Sequence, residues 1–131
     1  MNNTAMNPIH QYRKLELQTS VANASPHQLV DMLFEGVRDR VNQAIGAVER
    51  EDHASRNEAI NSAVDILSGL RASLDHDEGG ELADNLEALY DYMQRRLFRA
   101  NVENSATALV EVGDLISTLR SAWVAIDSPE S

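Results

Sequence analysis

The sequence contains no cysteine, which excludes disulfide bonds and thiolate chemistry. It also lacks any apolar run close to the roughly 20 residues that a membrane-spanning helix needs, so we expect no membrane insertion. The N-terminus has no basic patch followed by a continuous apolar stretch, which is the pattern of a secretory signal. These absences together favour a cytoplasmic protein.

Basic residues are also scarce. The 131 residues include 11 Lys and Arg against 21 Asp and Glu, for a formal net charge of -10. The basic residues are spread along the chain, and only Lys14 is a lysine. Because a phosphate-binding face needs clustered positive charge, we expect no nucleic-acid partner. The acidity also disfavours anionic membrane surfaces.

Catalytic and metal-binding patterns are missing as well. None of the four histidines pairs with a glutamate three or four residues away on one helical face. We interpret His27 as a solvated residue in the first turn of a helix. The segment from Asp75 to Glu81 fails as a calcium loop, because Gly79 and Leu86 stand where ligands are required. We therefore expect no enzyme, no metal site and no cofactor.

Apolar residues recur every three or four positions in four long segments, the period of amphipathic helices. The predicted helices cover residues 26–50, 54–74, 81–100 and a stretch capped by Ser105. Ser25, Pro26 and Gln28 form a capping box that fixes the start of the first helix. Nothing in the sequence indicates a strand. Short connections force neighbouring helices antiparallel, so we predict an all-α, antiparallel up-down four-helix bundle.

The bundle is predicted to occupy residues 25–127, between a lead segment at 1–24 and a C-terminal tail at 128–131. The lead segment is polar, but Ile9 and Tyr12 lie three residues apart, as on one or two turns of helix. We interpret this pair as a short, partly mobile helical lid that docks on the bundle. The alternatives are that this pair packs permanently against the bundle, or that the lead segment is disordered.

The predicted helices carry more apolar surface than one core needs. The stripe of the third helix spans an arc of roughly 100°, whereas those of the first two reach roughly 160°. The excess indicates an exposed groove, unless the lead segment or a second copy covers it. For each candidate groove residue, burial in the core is the alternative. The candidates flank these arcs: Ile60, Val64, Ile66, Leu67, Phe98 and Val102.

Several runs in the chain resemble the flagellar secretion chaperone family, the flagellin-specific export chaperones. They follow the family's order and spacing over nearly the whole chain, so the likeness is more specific than any single motif. The matching runs are Ala24–Leu29, Met32–Gly36, Gly79–Ala83, Leu89–Met93, Arg96–Leu97, Ala100–Asn101 and Leu119–Trp123.

The resemblance implies a chaperone that binds the disordered C-terminal segment of flagellin. It would prevent premature polymerisation and deliver flagellin to a component of the flagellar type III export gate. The family's N-terminal lid maps onto Ile9 and Tyr12, which flagellin would displace, and a homodimer is possible without the client. The alternative is a self-associating structural bundle that has no heterologous client.

Overall fold

The structure is a computed structural model that describes residues 23–126. These residues form four helices and no strand, which confirms the all-α four-helix bundle. Ile9, Tyr12 and the predicted tail at 128–131 lie outside the described residues. The helices are α1 (Pro26–Glu49), α2 (His53–Ala72), α3 (His76–Glu103) and α4 (Ala106–Ala125).

Each helix packs against two neighbours, since α1 and α3 both contact α2 and α4. Contacts between α1 and α4 show that these helices are antiparallel. Arg120, near the end of α4, donates from Nε to Oδ1 of Asp31, near the start of α1, at 2.7 Å. The Asp31 carboxylate is also the main cause of a raised pKa for Arg120.

The start of α1 has the predicted capping box. The backbone N–H of Gln28 donates to the Ser25 hydroxyl at 3.1 Å, and the backbone N–H of Ser25 donates to Oε1 of the Gln28 side chain at 2.9 Å. Pro26 occupies the first helical turn, where a missing amide hydrogen is harmless. Ser105 does precede α4, but its side chain makes no capping hydrogen bond, so that part of the prediction is wrong.

Helix α3 begins earlier than predicted. Residues 75–80 were expected to form only a connection, yet Asp75 caps a helical turn that begins at His76. Gly80 then interrupts the helix with φ 53° and ψ -126°, a conformation that glycine adopts without strain. The helix continues beyond the predicted end at Ala100 to Glu103, where Asn104 closes it in a left-handed conformation. The glycine therefore kinks the helix and does not end it.

The core lies along the bundle axis and receives apolar side chains from all four helices. Burial raises the pKa of the Tyr90 phenol to about 12. The largest fully buried side chains are Phe34, Val37, Val41, Ile60, Leu67, Leu70, Tyr90, Met93, Leu97, Leu109, Val112 and Ile116.

We predict that Leu67→Ala lowers the free energy of unfolding by about 2–5 kcal/mol, because it leaves a cavity in a filled core. Urea unfolding followed by circular dichroism measures the change. Leu82→Ala is the matched control, since Leu82 is exposed and its truncation creates no internal cavity. Equal losses for the two variants would contradict the assignment of Leu67 to the core.

Candidate functional site

The six candidate groove residues fall into three environments. Ile60 and Leu67 are 2% and 0% exposed, so they are core residues, the alternative that the sequence left open. Ile66 is half-buried, and its Cδ1 lies 3.3 Å from where a Cβ on Gly36 of α1 would be. Of the remaining three candidates, Val64 lies on the side of α2 that faces α3, and Phe98 and Val102 lie on α3.

Phe98 and Val102 are the most exposed of the large apolar side chains in the described chain, at 70% and 69%. They follow Gln94 at four-residue intervals, so the three residues share one edge of α3. The Gln94 amide donates from Nε2 to the carbonyl of Val64 at 3.0 Å and to the hydroxyl of Ser68 at 2.9 Å. Both partners are on α2. We call Val64, Phe98 and Val102 the α2–α3 strip.

A buried arginine joins α2 to α3 near the Val102 end of the strip. Arg56 is 8% exposed, and its Nε donates to Oδ1 of Asn101 at 2.9 Å. Its Nη1 donates to Oδ1 of Asn104 at 2.6 Å and to Nδ1 of His53 at 2.7 Å. All three partners are uncharged acceptors, and the negative end of the α3 dipole lies beside the guanidinium. No residue pattern in the sequence indicated this cluster.

Tyr92, which lies off the apolar stripe of α3, belongs to a polar contact with α4. Its hydroxyl donates to Oε2 of Glu111 at 2.6 Å, and Arg96 donates from Nε to Oε1 at 2.7 Å. The bond from Tyr92, followed by that from Arg96, lowers the pKa of the Glu111 carboxyl. Tyr92 therefore links two helices and adds little to an apolar surface.

His27 is not the solvated residue that the sequence suggested. Its ring stacks on Trp123 with centroids 4.8 Å apart and planes 13° from parallel. His27 Nε2 donates to the Trp123 carbonyl at 2.8 Å, and Trp123 Nε1 donates to the His27 carbonyl at 2.9 Å. The prediction is wrong because the partner lies 96 positions away in the sequence. The pair ties the first turn of α1 to the last turn of α4.

Above this pair lies an apolar cavity of about 330 Å³, which we call the end cavity. Val30, in the second turn of α1, is among the residues that line it. Leu82 of α3 is exposed at its rim. Its apolar lining comes from all four helices: Val30, Leu70, Leu74, Leu82, Ala83, Leu86, Tyr90 and Trp123.

Within residues 23–126, no group of three or more His, Asp or Glu side chains is arranged to hold a metal ion. In the same stretch, no helix has the length and apolar content required to cross a membrane. Among the apolar features of this stretch, the α2–α3 strip has the most exposed side chains and the end cavity has the most apolar lining.

Comparison with known proteins places the chain in a family. The family model described as flagellar protein FliS matches residues 8–130. The chain is 43% identical over 124 residues to the flagellar secretion chaperone FliS of Salmonella typhimurium, covering 94% of this chain and 91% of that protein. It is 41% identical over 119 residues to the flagellar secretion chaperone FliSB of Pseudomonas aeruginosa, covering 91% and 94%. The Bacillus subtilis FliS chaperone is 36% identical over 106 residues, covering 81% and 78%.

We predict that Arg56→Ala lowers the free energy of unfolding by about 1–3 kcal/mol, because it removes the buried side chain that joins α2 to α3 and leaves the partly buried oxygen of Asn101 without its donor. Urea unfolding measures the loss. Arg99→Ala is the matched control, because Arg99 is exposed and pairs only with Glu103 one turn away. If both variants were equally stable, the cluster would not join the helices in the way described.

Proposed function

We propose that this chain, which belongs to the flagellar protein FliS family, binds the disordered C-terminal segment of flagellin in the cytoplasm. It keeps that segment from polymerising early and delivers it to a component of the flagellar type III export gate. The relatives' shared name, flagellar secretion chaperone, supports the export role. Flagellin is the client that the sequence resemblance implies.

One observation carries the proposal: the exposure of Phe98 and Val102 on α3, along the edge where Gln94 donates to the Val64 carbonyl of α2. Two large apolar side chains one turn apart present a ridge to which an amphipathic helix can dock through its own apolar face. Such a partner would dehydrate these side chains, and the hydrophobic effect would then favour the complex.

The size of the client's ordering penalty requires more surface than the strip alone. Folding a disordered segment on binding takes about 2–5 kcal/mol from the gross interaction energy, and such segments bury about 1,000 Å² or more. A client that continues from the strip towards the end cavity would bury additional apolar area. We therefore propose an extended binding path along α3, with Phe98 towards one end and the end cavity at the other.

The lead segment supplies an internal competitor in this proposal. Tyr12 and Ser25 are thirteen positions apart in the sequence, and an extended chain of that length reaches about 45 Å. Ile9 and Tyr12 can therefore reach apolar surface anywhere on the bundle. A lid that occupies the client's surface lowers the apparent affinity by the fraction of closed molecules. It also shields that surface while the client is absent.

We predict that Phe98→Asp weakens binding of a peptide from the C-terminus of flagellin by tenfold or more, because a charge replaces an apolar anchor. Isothermal titration calorimetry measures the affinity. Val110→Asp is the control, because Val110 is an exposed valine on α4, away from the strip. Undiminished binding by the Phe98 variant would rule out the strip as the client site.

The wild-type titration also tests the alternative of a structural bundle. No heat with the flagellin peptide, together with a dimer that light scattering finds at every concentration, would favour self-association through the strip. A monomer that forms a 1:1 complex supports the chaperone.

For the lid, we predict that Tyr12→Ala increases the fluorescence of a hydrophobic dye added to the client-free protein, because the apolar surface beneath it becomes accessible. Tyr12→Phe keeps the aromatic ring and should leave the fluorescence unchanged. Identical signals from wild type and Tyr12→Ala would show that Tyr12 does not cover this surface.

A further inference from the structure

The first turn of α3 is separated from the rest of the helix by a hinge. Residues His76–Gly79 precede Gly80, whose φ of 53° and ψ of -126° break the helical path. A side chain at this position would be strained whatever space surrounds it, since its φ lies in the region that favours glycine. Gly80 therefore marks the point at which the backbone changes direction between this turn and the rest of α3.

This turn lies over the end cavity. Glu78 and Gly79 line the cavity together with Leu82 and Ala83. Gly79 approaches Ala83 so closely that an added Cβ would lie 2.9 Å from the Ala83 Cβ. Yet the turn itself consists of His, Asp, Glu and Gly, so it places no large apolar side chain in the core. Polar contacts must therefore keep this turn in place over the end cavity.

Those contacts converge on His76. Its Nδ1 lies 2.8 Å from Oδ1 of Asp84, and its Nε2 lies 2.8 Å from Oε1 of Glu87. An ionised carboxylate only accepts hydrogen bonds, so both ring nitrogens must carry a hydrogen. The two nearby carboxylates therefore favour a charged imidazolium. The hydrogen bond with Asp84 is the main cause of a raised pKa for His76, and Glu87 adds to it.

The charged groups around His76 come from two helices. On α2, Arg71 lies 3.2 Å from the Glu87 carboxylate and 3.3 Å from that of Asp91, so Glu87 is shared between Arg71 and His76. On the turn itself, Asp77 and Glu78 are exposed acids in the first turn of α3. They offset the unfavourable position of a cation at the positive end of a helix dipole.

We propose that residues 76–79 form a hinged flap over the end cavity, closed when His76 donates to both Asp84 and Glu87 and released when the imidazole loses its proton. A neutral imidazole has one N–H, so its second nitrogen faces a carboxylate with no hydrogen between them. The proposal concerns access to the cavity and is independent of which client the protein carries.

The direction of the pH response follows from the raised pKa. Closure of the flap favours the protonated form, so the stabilisation of the closed state by His76 is complete below the pKa that His76 has in an open flap. Closure weakens as the pH rises through the higher value of the closed state. Each unit between the two pKa values corresponds to a tenfold change in the closed-to-open ratio. Salt should weaken the latch, because these groups are exposed.

Amide hydrogen exchange measured by NMR on the client-free protein tests this directly. The amides of Glu78 and Gly79 donate to Asp75, at 3.0 Å to Oδ1 and 2.7 Å to the carbonyl, so their protection reports on the flap. After correction for intrinsic exchange, we expect protection to fall between pH 6 and pH 8.5. The Asp84→Asn/Glu87→Gln variant lacks both carboxylates that contact His76, so its His76 pKa represents that of an open flap. Protection should fall tenfold for every unit by which the wild-type pKa exceeds this reference value.

Two variants separate the latch from general charge effects. His76→Gln cannot be a cation, and we expect low protection that does not change with pH. Glu81→Gln removes an exposed acid just outside the turn for which the described residues offer no hydrogen-bond or ion-pair partner, so it should keep the wild-type response. Constant protection in wild type, or a pH response that survives in His76→Gln, would overturn the proposal.

Access to the cavity is read from hydrophobic-dye fluorescence in the Phe98→Asp background, where the α2–α3 strip contributes little. We expect fluorescence to rise with pH, and to be high at every pH once His76→Gln is added. A signal unaffected by His76→Gln would show that the flap does not control the cavity.

Discussion

The structure depends on one constraint: four short helices can bury only the side chains that point towards their common axis. Phe34, Tyr90, Met93 and Leu109 occupy that axis and are fully enclosed. A filled core admits no further large side chain without strain. Apolar residues away from the axis must therefore remain on the surface or be covered by something else. Phe98 is such a residue, and its exposure follows from the packing of the other helices.

The periodicity of the sequence predicted the four helices because that signal is local. The same is true of the capping box, in which Ser25 and Gln28 are three residues apart. The candidate surface was harder to predict, because a helical wheel gives the direction of a side chain but not the position of the neighbouring helices. Ile60 and Phe98 both flank an arc, yet one is enclosed and the other is exposed.

The remaining differences also arise from distant contacts or from backbone details. His27 was expected in solvent because its partner, Trp123, is far away in the sequence. The sequence predicted a helix that starts at residue 81, whereas the break in the helix lies at Gly80 alone, since Gly79 still fits a capped helical turn. The two ends of the bundle consequently differ. At one end Arg56 joins α2 to α3, and at the other the His27–Trp123 pair lies below a turn that only polar contacts hold.

The most direct test of the account is to map where the client lies on this bundle. Methyl and aromatic NMR spectra of the protein, recorded with and without the C-terminal segment of flagellin, would show which side chains change environment. The account predicts large shifts at Val64, Phe98 and Val102, with little change at Val110 and Val124 on α4. Large shifts confined to α4, with the α2–α3 strip unaffected, would contradict it.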